Sequence, residues 1–222
     1  MGKRGPKPKI LVNTRWTEKL AYAIGLLATD GCLVQGTTLI DLTSTDKEQL
    51  LNFNHCIGID LKIGVKKSGF DKKIMRVQIK NKLFYAFLLS IGLTPAKSKT
   101  IGAIDVPDEY FFDFLRGCFD GDGSFYSYWD PRWKSSFMFY TEFASASPKF
   151  ILWIREKIFN GIGIKGHVTK DGKGSTLQLK YAKADSIKLL KQMYHSPHVV
   201  CLSRKRLKIA KVFGRMGLSV KH

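Results

Sequence analysis

The chain has 222 residues, 44% of them hydrophobic, enough for one sizeable core or two small ones. Its 37 Lys and Arg outnumber 18 Asp and Glu, and the resulting +19 is spread from end to end, so polyanions are the expected partners, nucleic acid before a membrane surface. No apolar run approaches the roughly 20 residues that span a bilayer, "MGKRGPKPK" lacks the apolar stretch of a signal peptide, and four scattered cysteines exclude both a disulfide scaffold and a close-paired zinc site.

These bounds predict a soluble intracellular protein, of the cytoplasm or an organelle matrix, in a reducing compartment. The Met1 start and the lack of a splicing-type end predict a freestanding chain.

Residues 1–14 read as a basic arm. A helix is predicted at 17–30, where Leu20, Ala23, Ile24 and Leu27 recur at helical spacing. Strands follow at 32–35 and 38–44, then a helix at 46–57 with Asp46 as its cap. Two further strands, 61–67 and 73–80, are joined through Ser68-Gly69-Phe70-Asp71, and a helix at 81–91 stops at Gly92. Residues 93–107, bearing Pro95 and Pro107, make a linker. The second half repeats the order at 108–121, 124–129, 136–145, 148–160, 164–169, 175–181 and 183–194, and a basic helix at 202–215 closes the chain.

The two halves are copies of one unit. "AIGLLATDG" at 23–31 aligns with "LRGCFDGDG" at 115–123, placing Asp30 over Asp122 at an offset of 92, and "RVQIK" at 76–80 aligns with "TLQLK" at 176–180 at an offset of 100. About eight extra residues are therefore expected to lengthen the second copy's first hairpin, around Trp129–Trp133, and the helix after it. The expected organisation is a first repeat at 15–92 and a second at 108–222.

In Arg76-Val77-Gln78-Ile79-Lys80 apolar and long polar residues alternate, so one sheet face packs on helices and the other stays open; Leu177, Gln178, Leu179 and Lys180 do the same. An open face of this kind suits the reading of base edges and phosphates in a groove. The candidate DNA contacts are Gln35, Thr38, Lys66, Arg76, Gln78 and Lys80 in the first repeat. In the second they are Arg132, Lys134, Gln178, Lys180, Arg204 and Lys205.

Asp30 and Asp122 end their helices, where the macrodipole disfavours an anion by roughly 0.3–1 kcal/mol. Each is followed by a glycine suited to a left-handed cap. Small residues one turn apart, Gly25 and Thr29 in one helix and Gly117 and Gly121 in the other, permit a shared seam along which the two helix ends meet. Converging carboxylates need a cation between them, and oxygen ligands favour a hard one such as Mg²⁺. On a phosphate-binding surface that arrangement suits metal-assisted phosphodiester hydrolysis.

From about residue 15 to 215 the layout resembles the single-chain, two-repeat LAGLIDADG homing endonucleases, most specifically through "IDVPDEYFFDFLRGCFDGDGSF". The first motif has Ala28 where the second has Asp120 but keeps its eighth-position acid, Asp30. The resemblance implies an α+β fold of two pseudo-symmetric αββαββα repeats packed through the motif helices, with saddle-shaped antiparallel sheets on the DNA major groove. It implies a monomeric enzyme that cuts both strands of a long, non-palindromic site, leaving 3′ overhangs. Mg²⁺ would bind at Asp30 and Asp122, with Mn²⁺ or Ca²⁺ able to substitute in binding. It further implies a basic residue near each metal: Lys97 in "PAKSKT", and in "CLSRKR" the position of Ser203, with Arg204 and Lys205 next. A polar position after the second strand maps to Asp46 and Ser147. The alternative on the same scaffold is a non-cleaving nucleic-acid-binding protein, an RNA maturase or a repressor.

Two rival motifs fail on their residues, and two further features stay open. Asp120-Gly-Asp122-Gly-Ser124 opens like a calcium loop, but its sixth position is Phe125 and its twelfth Pro131. His195, His198 and Cys201 are too few for a closed zinc site and read as a turn beside Pro197. Trp129 and Trp133 flank a hairpin tip, as packing or as DNA contacts, and "KRGPKPK" is either a minor-groove arm or an inert tail.

Overall fold

The structure, a computed structural model, describes residues 9, 11–67, 73–133, 135–170 and 174–219. The predicted turn at 68–71, Lys134 and nearly all of "KRGPKPK" lie outside them.

Thr17 caps α1 (Glu18–Thr29) by accepting a hydrogen bond from the Leu20 amide at 3.1 Å. Strands β1 (Gly31–Leu33) and β2 (Leu39–Ser44) follow, then α2 (Lys47–Ile57), capped by Asp46 as predicted, then β3 (Gly64–Lys67), β4 (Lys73–Lys80) and α3 (Lys82–Ser90). A linker with 3₁₀ turns at Lys97–Lys99 and Asp108–Tyr110 leads to α4 (Phe111–Gly121). The second set comprises β5 (Ser124–Trp129), β6 (Phe137–Ser145), α5 (Pro148–Ile162), β7 (His167–Lys170), β8 (Leu177–Ala182) and α6 (Lys183–Met193), and α7 (Ser203–Gly214) closes the fold.

Each set forms a four-stranded antiparallel sheet, ordered β1-β2-β4-β3 in one and β5-β6-β8-β7 in the other. The fold is therefore α+β with an internal repeat, as expected. The second copy's extra length sits where the offsets demand: six- and nine-residue strands replace three- and six-residue ones, and α5 has 15 residues against 11 in α2.

The third strand of each sheet starts three residues later than predicted, and both copies have the same cause. A side chain of the preceding helix takes a loop carbonyl that a strand partner would need: Asn54 Nδ2 donates to Leu61 O at 2.8 Å, and Arg155 Nε to Lys165 O at 2.9 Å.

Helices α1 and α4 lie against each other at the centre of the core, with Leu20, Ile24, Leu27, Phe114, Leu115 and Phe119 buried between the sheets. The seam is as close as the small residues allow. A Cβ on Gly25 would stand 2.1 Å from Phe114 O, one on Gly117 2.2 Å from Tyr22 O, and one on Gly121 2.1 Å from Thr29 Oγ1. Backbone therefore meets backbone, and the two C-terminal ends emerge together between the sheets. No described helix is long and apolar enough to cross a membrane. Among the cysteines Cys56 and Cys118 fill core space, whereas Cys32 is exposed on β1.

Candidate nucleic-acid interface and metal centre

Asp30 and Asp122 are the C-caps of α1 and α4. A Cβ on Gly121 would lie 3.1 Å from Asp30 Oδ2, so the Asp30 carboxylate rests on the residue preceding Asp122. The seam thus brings the two acids together. Burial raises the pKa of both, and the charge of Asp122 adds to the rise at Asp30. All the available ligands are oxygens, and two carboxylates held in partial burial favour a hard divalent cation between them. The residues present fit the ion that the sequence implies.

Gly31 and Gly123 follow the two acids, and neither adopts the left-handed conformation expected for them. Their reason is space: a Cβ would meet Leu27 Cα at 2.6 Å in one copy and Phe119 Cδ2 at 2.6 Å in the other.

Two buried lysines close the site. Lys97 Nζ donates to Gly31 O at 2.6 Å and to Thr29 O at 3.3 Å. Lys205 Nζ donates to Gly123 O at 2.7 Å, to Asp120 O at 3.1 Å and to Phe119 O. Lys205, rather than Ser203, thus takes in the second repeat the place that Lys97 takes in the first. The sequence alignment missed it by two residues because Lys97 sits on a 3₁₀ turn and Lys205 on an α-helix. The placement also takes Lys205 off the open sheet surface expected for it. Ser203 instead caps nothing and bonds Glu48.

Burial lowers the pKa of both amines, Lys205 to about 8, while the nearby acids hold them up. Each lysine faces both carboxylates, yet Lys97 acts more strongly on Asp122 and Lys205 more strongly on Asp30. A cleft of about 310 Å³, lined by Thr29, Lys97, Ser98, Asp122 and Thr176, opens on one side. One of about 330 Å³, lined by Gly123, Arg204, Lys205 and Lys208, opens on the other.

The polar position after the second strand bonds elsewhere than to the acids. Asp46 caps α2 and takes Arg204 Nε at 2.8 Å, and Ser147 bonds Ile101 O. Gln49, one turn further on, is the residue that reaches the acid: its Nε2 donates to Asp30 Oδ2 at 2.6 Å. Counted from the caps, the second repeat has Phe150 there, and Asp122 receives no such bond among the described residues. A polar side chain on the buried face of α2 was the available signal. The second residue that the sequence left unexplained is Asp120, whose Oδ2 accepts from Tyr22 Oη at 2.8 Å and Leu202 N at 2.7 Å. It pins the chain at the start of α7, three residues before Lys205, and burial raises its pKa to about 6.

The open sheet surface carries the remaining candidates. Lys66 and Arg76 flank Asp41 at 3.4 and 3.8 Å, Gln78 and Lys80 are exposed, and Lys180 pairs with Glu142 at 3.5 Å beside Gln178. Gln35 is exposed in the β1–β2 turn, and Thr38 lends its carbonyl to the Asn81 amide. Arg132 bonds Asp130 at the β5–β6 tip, and Arg204 stands at the start of α7 rather than on a sheet.

One cluster of metal-ligating type occurs among the described residues, Glu18, Asp113 and His195, at the N-terminal ends of the same helix pair. Arg116 Nη2 already takes Asp113 Oδ1 at 2.6 Å, so this group belongs to packing. His195 is tied to Asp113 at 3.2 Å rather than standing in a free turn.

No family model and no curated protein matches the chain. Solved structures do. The LAGLIDADG meganuclease I-AabMI bound to uncleaved DNA is similar with a TM-score of 0.62 at 13% identity, over 88% of this chain and 90% of that one. The N-terminal LAGLIDADG domain of DUF199/WhiA gives 0.53 at 18% identity, over 82% and 85%. The chain carries the LAGLIDADG fold. I-DmoI in complex with DNA and Mn shares this LAGLIDADG architecture at a TM-score of 0.52 and 14% identity, over 79% of this chain and 96% of that one.

Proposed function

We propose that the protein is a divalent-metal-dependent, site-specific endonuclease of double-stranded DNA, acting as a monomer on a long, non-palindromic target. The observation that carries this reading is the meeting of Asp30 and Asp122 at two abutting helix ends, each beside a buried lysine. The +19 charge and the likeness to DNA-bound meganucleases support it.

Asp30 and Asp122 would hold the metal, Mg²⁺ or Mn²⁺. Held there, such an ion would supply activation of a water nucleophile and charge stabilisation for the departing 3′ oxygen. Lys97 and Lys205 offset the charge that develops on the phosphate, and their amines are already oriented by carbonyls, so little reorganisation accompanies the reaction. The open sheets dock on the major groove and set the register.

The test is replacement of Asp30 or Asp122 by Asn. Cleavage of a selected duplex in Mg²⁺ disappears while binding survives; variants that still cut would overturn the assignment. Affinity should fall roughly a thousandfold or more between low and moderate salt if six or more phosphates are contacted.

A non-cleaving nucleic-acid-binding protein is the second reading, favoured by the bond from Gln49 that already engages Asp30. A randomised duplex library in Mg²⁺ separates the two: a binder enriches sequences without generating ends.

A further inference from the structure

The two open sheet faces differ in chemistry. Directly opposed residues of paired strands share a face, so the register places Lys66, Arg76, Gln78 and Lys80 together on the first sheet, around Asp41. On the second sheet the matching face holds an aromatic ladder. Tyr126 opposes Tyr140 with ring centroids 5.4 Å apart, and Tyr128 stacks on the same Tyr140 at 6.2 Å with an interplanar angle of 7°. Tyr128 remains 42% exposed. Met138 and Ala144 extend the apolar surface, and Lys180 is tied to Glu142.

Lysine and arginine in the major groove suit the O6 and N7 acceptors of guanine, whereas apolar side chains suit the 5-methyl group of thymine. A ladder of phenol rings bordered by methionine and alanine adds the second kind of contact to a face that also carries Gln178 and Lys180, and the first sheet has no such ladder on its matching face. We propose that the two repeats read half-sites of different chemistry: the second sheet reads thymine methyls through Tyr126, Tyr128 and Tyr140, and the first reads guanine. This rests on the DNA-binding reading above and adds to it the base composition of the target.

The experiment uses the full chain without divalent metal. Duplexes selected from a random library are compared for wild type and Tyr128→Ala, and the half whose base preferences change is the half beneath the second sheet. Thymines in that half are then replaced by deoxyuridine, which removes only the methyl group. Binding should weaken about fourfold per methyl removed, the factor for one buried methylene-sized group. The same replacement in the other half should leave it unchanged, and Tyr128→Ala should abolish the sensitivity while melting at the wild-type temperature. A second half-site rich in G·C, or one indifferent to deoxyuridine, overturns the proposal while leaving DNA binding intact, and assigns the ladder to cross-strand packing. Failure to retain any duplex overturns the DNA-binding reading itself.

Discussion

Lys97 and Lys205 occupy equivalent places in the two repeats: each amine donates to the carbonyl of the glycine that follows its own repeat's aspartate, Gly31 at 2.6 Å and Gly123 at 2.7 Å. Sequence spacing does not relate them, yet the charges of both amines act on both acids.

For Lys205 the pH dependence of stability and of activity should run in opposite directions. Burial brings its pKa to about 8, below the free value of 10.5, so the native state sheds this proton first as pH rises. Stability from this group therefore increases above pH 8 and is complete by 10.5. Cleavage loses a cation over the same range. Denaturant titrations between roughly pH 7.5 and 9 should show wild type gaining on Lys205→Met, while the wild-type cleavage rate falls. Parallel trends would contradict the assignment.

Gln49 makes the surroundings of the two acids unequal. A hydrogen bond to a charged group contributes about 1.5–3 kcal/mol, so Gln49→Ala should slow cutting of one strand by roughly ten- to hundredfold. Nicked plasmid should then accumulate on supercoiled substrate. Phe150→Leu keeps the apolar character of the other half and should leave the ratio of strand rates near that of wild type.

The helix seam tolerates no side chain at its crossing points. Gly25→Ala drives a Cβ to 2.1 Å from Phe114 O, and Gly117→Ala to 2.2 Å from Tyr22 O, backbone contacts that cannot yield by a rotamer change. Each should cost about 3 kcal/mol or more and lower the melting temperature by many degrees. Gly102→Ala has open space around its added methyl and serves as the control.

Arg116 is the largest fully buried side chain, and it ties α4 to the segment leading into α7. It donates to Met193 O at 2.6 Å, Val200 O at 2.9 Å and Asp113 at 2.6 Å. Arg116→Met leaves the buried Asp113 carboxylate with His195 as its remaining partner and should cost about 3 kcal/mol in denaturant titrations. Adding Asp113→Asn should recover part of that loss.

Much of this fold is written in local periodicity. The alternation of Val77, Gln78, Ile79 and Lys80 sets both the strand and its open face, and Gly25, Gly117 and Gly121 mark the helix seam. Where the structure departs from that periodicity, contacts between a helix and the loop that follows it are responsible. Asn54 and Arg155 shortened β3 and β7 by taking loop carbonyls, and Gly31 and Gly123 proved to need space rather than a left-handed backbone.

The sequence by itself determined the two repeats, the elements within them and the pairing of Asp30 with Asp122, because hydrophobic period and small-residue spacing are properties of neighbouring residues. Only the tertiary structure decided that Lys205 rather than Ser203 matches Lys97, that Gln49 holds Asp30, and that a tyrosine ladder covers one sheet. These depend on how far apart two segments stand once the core has closed, and that distance is set by packing across α1 and α4, which no local pattern encodes.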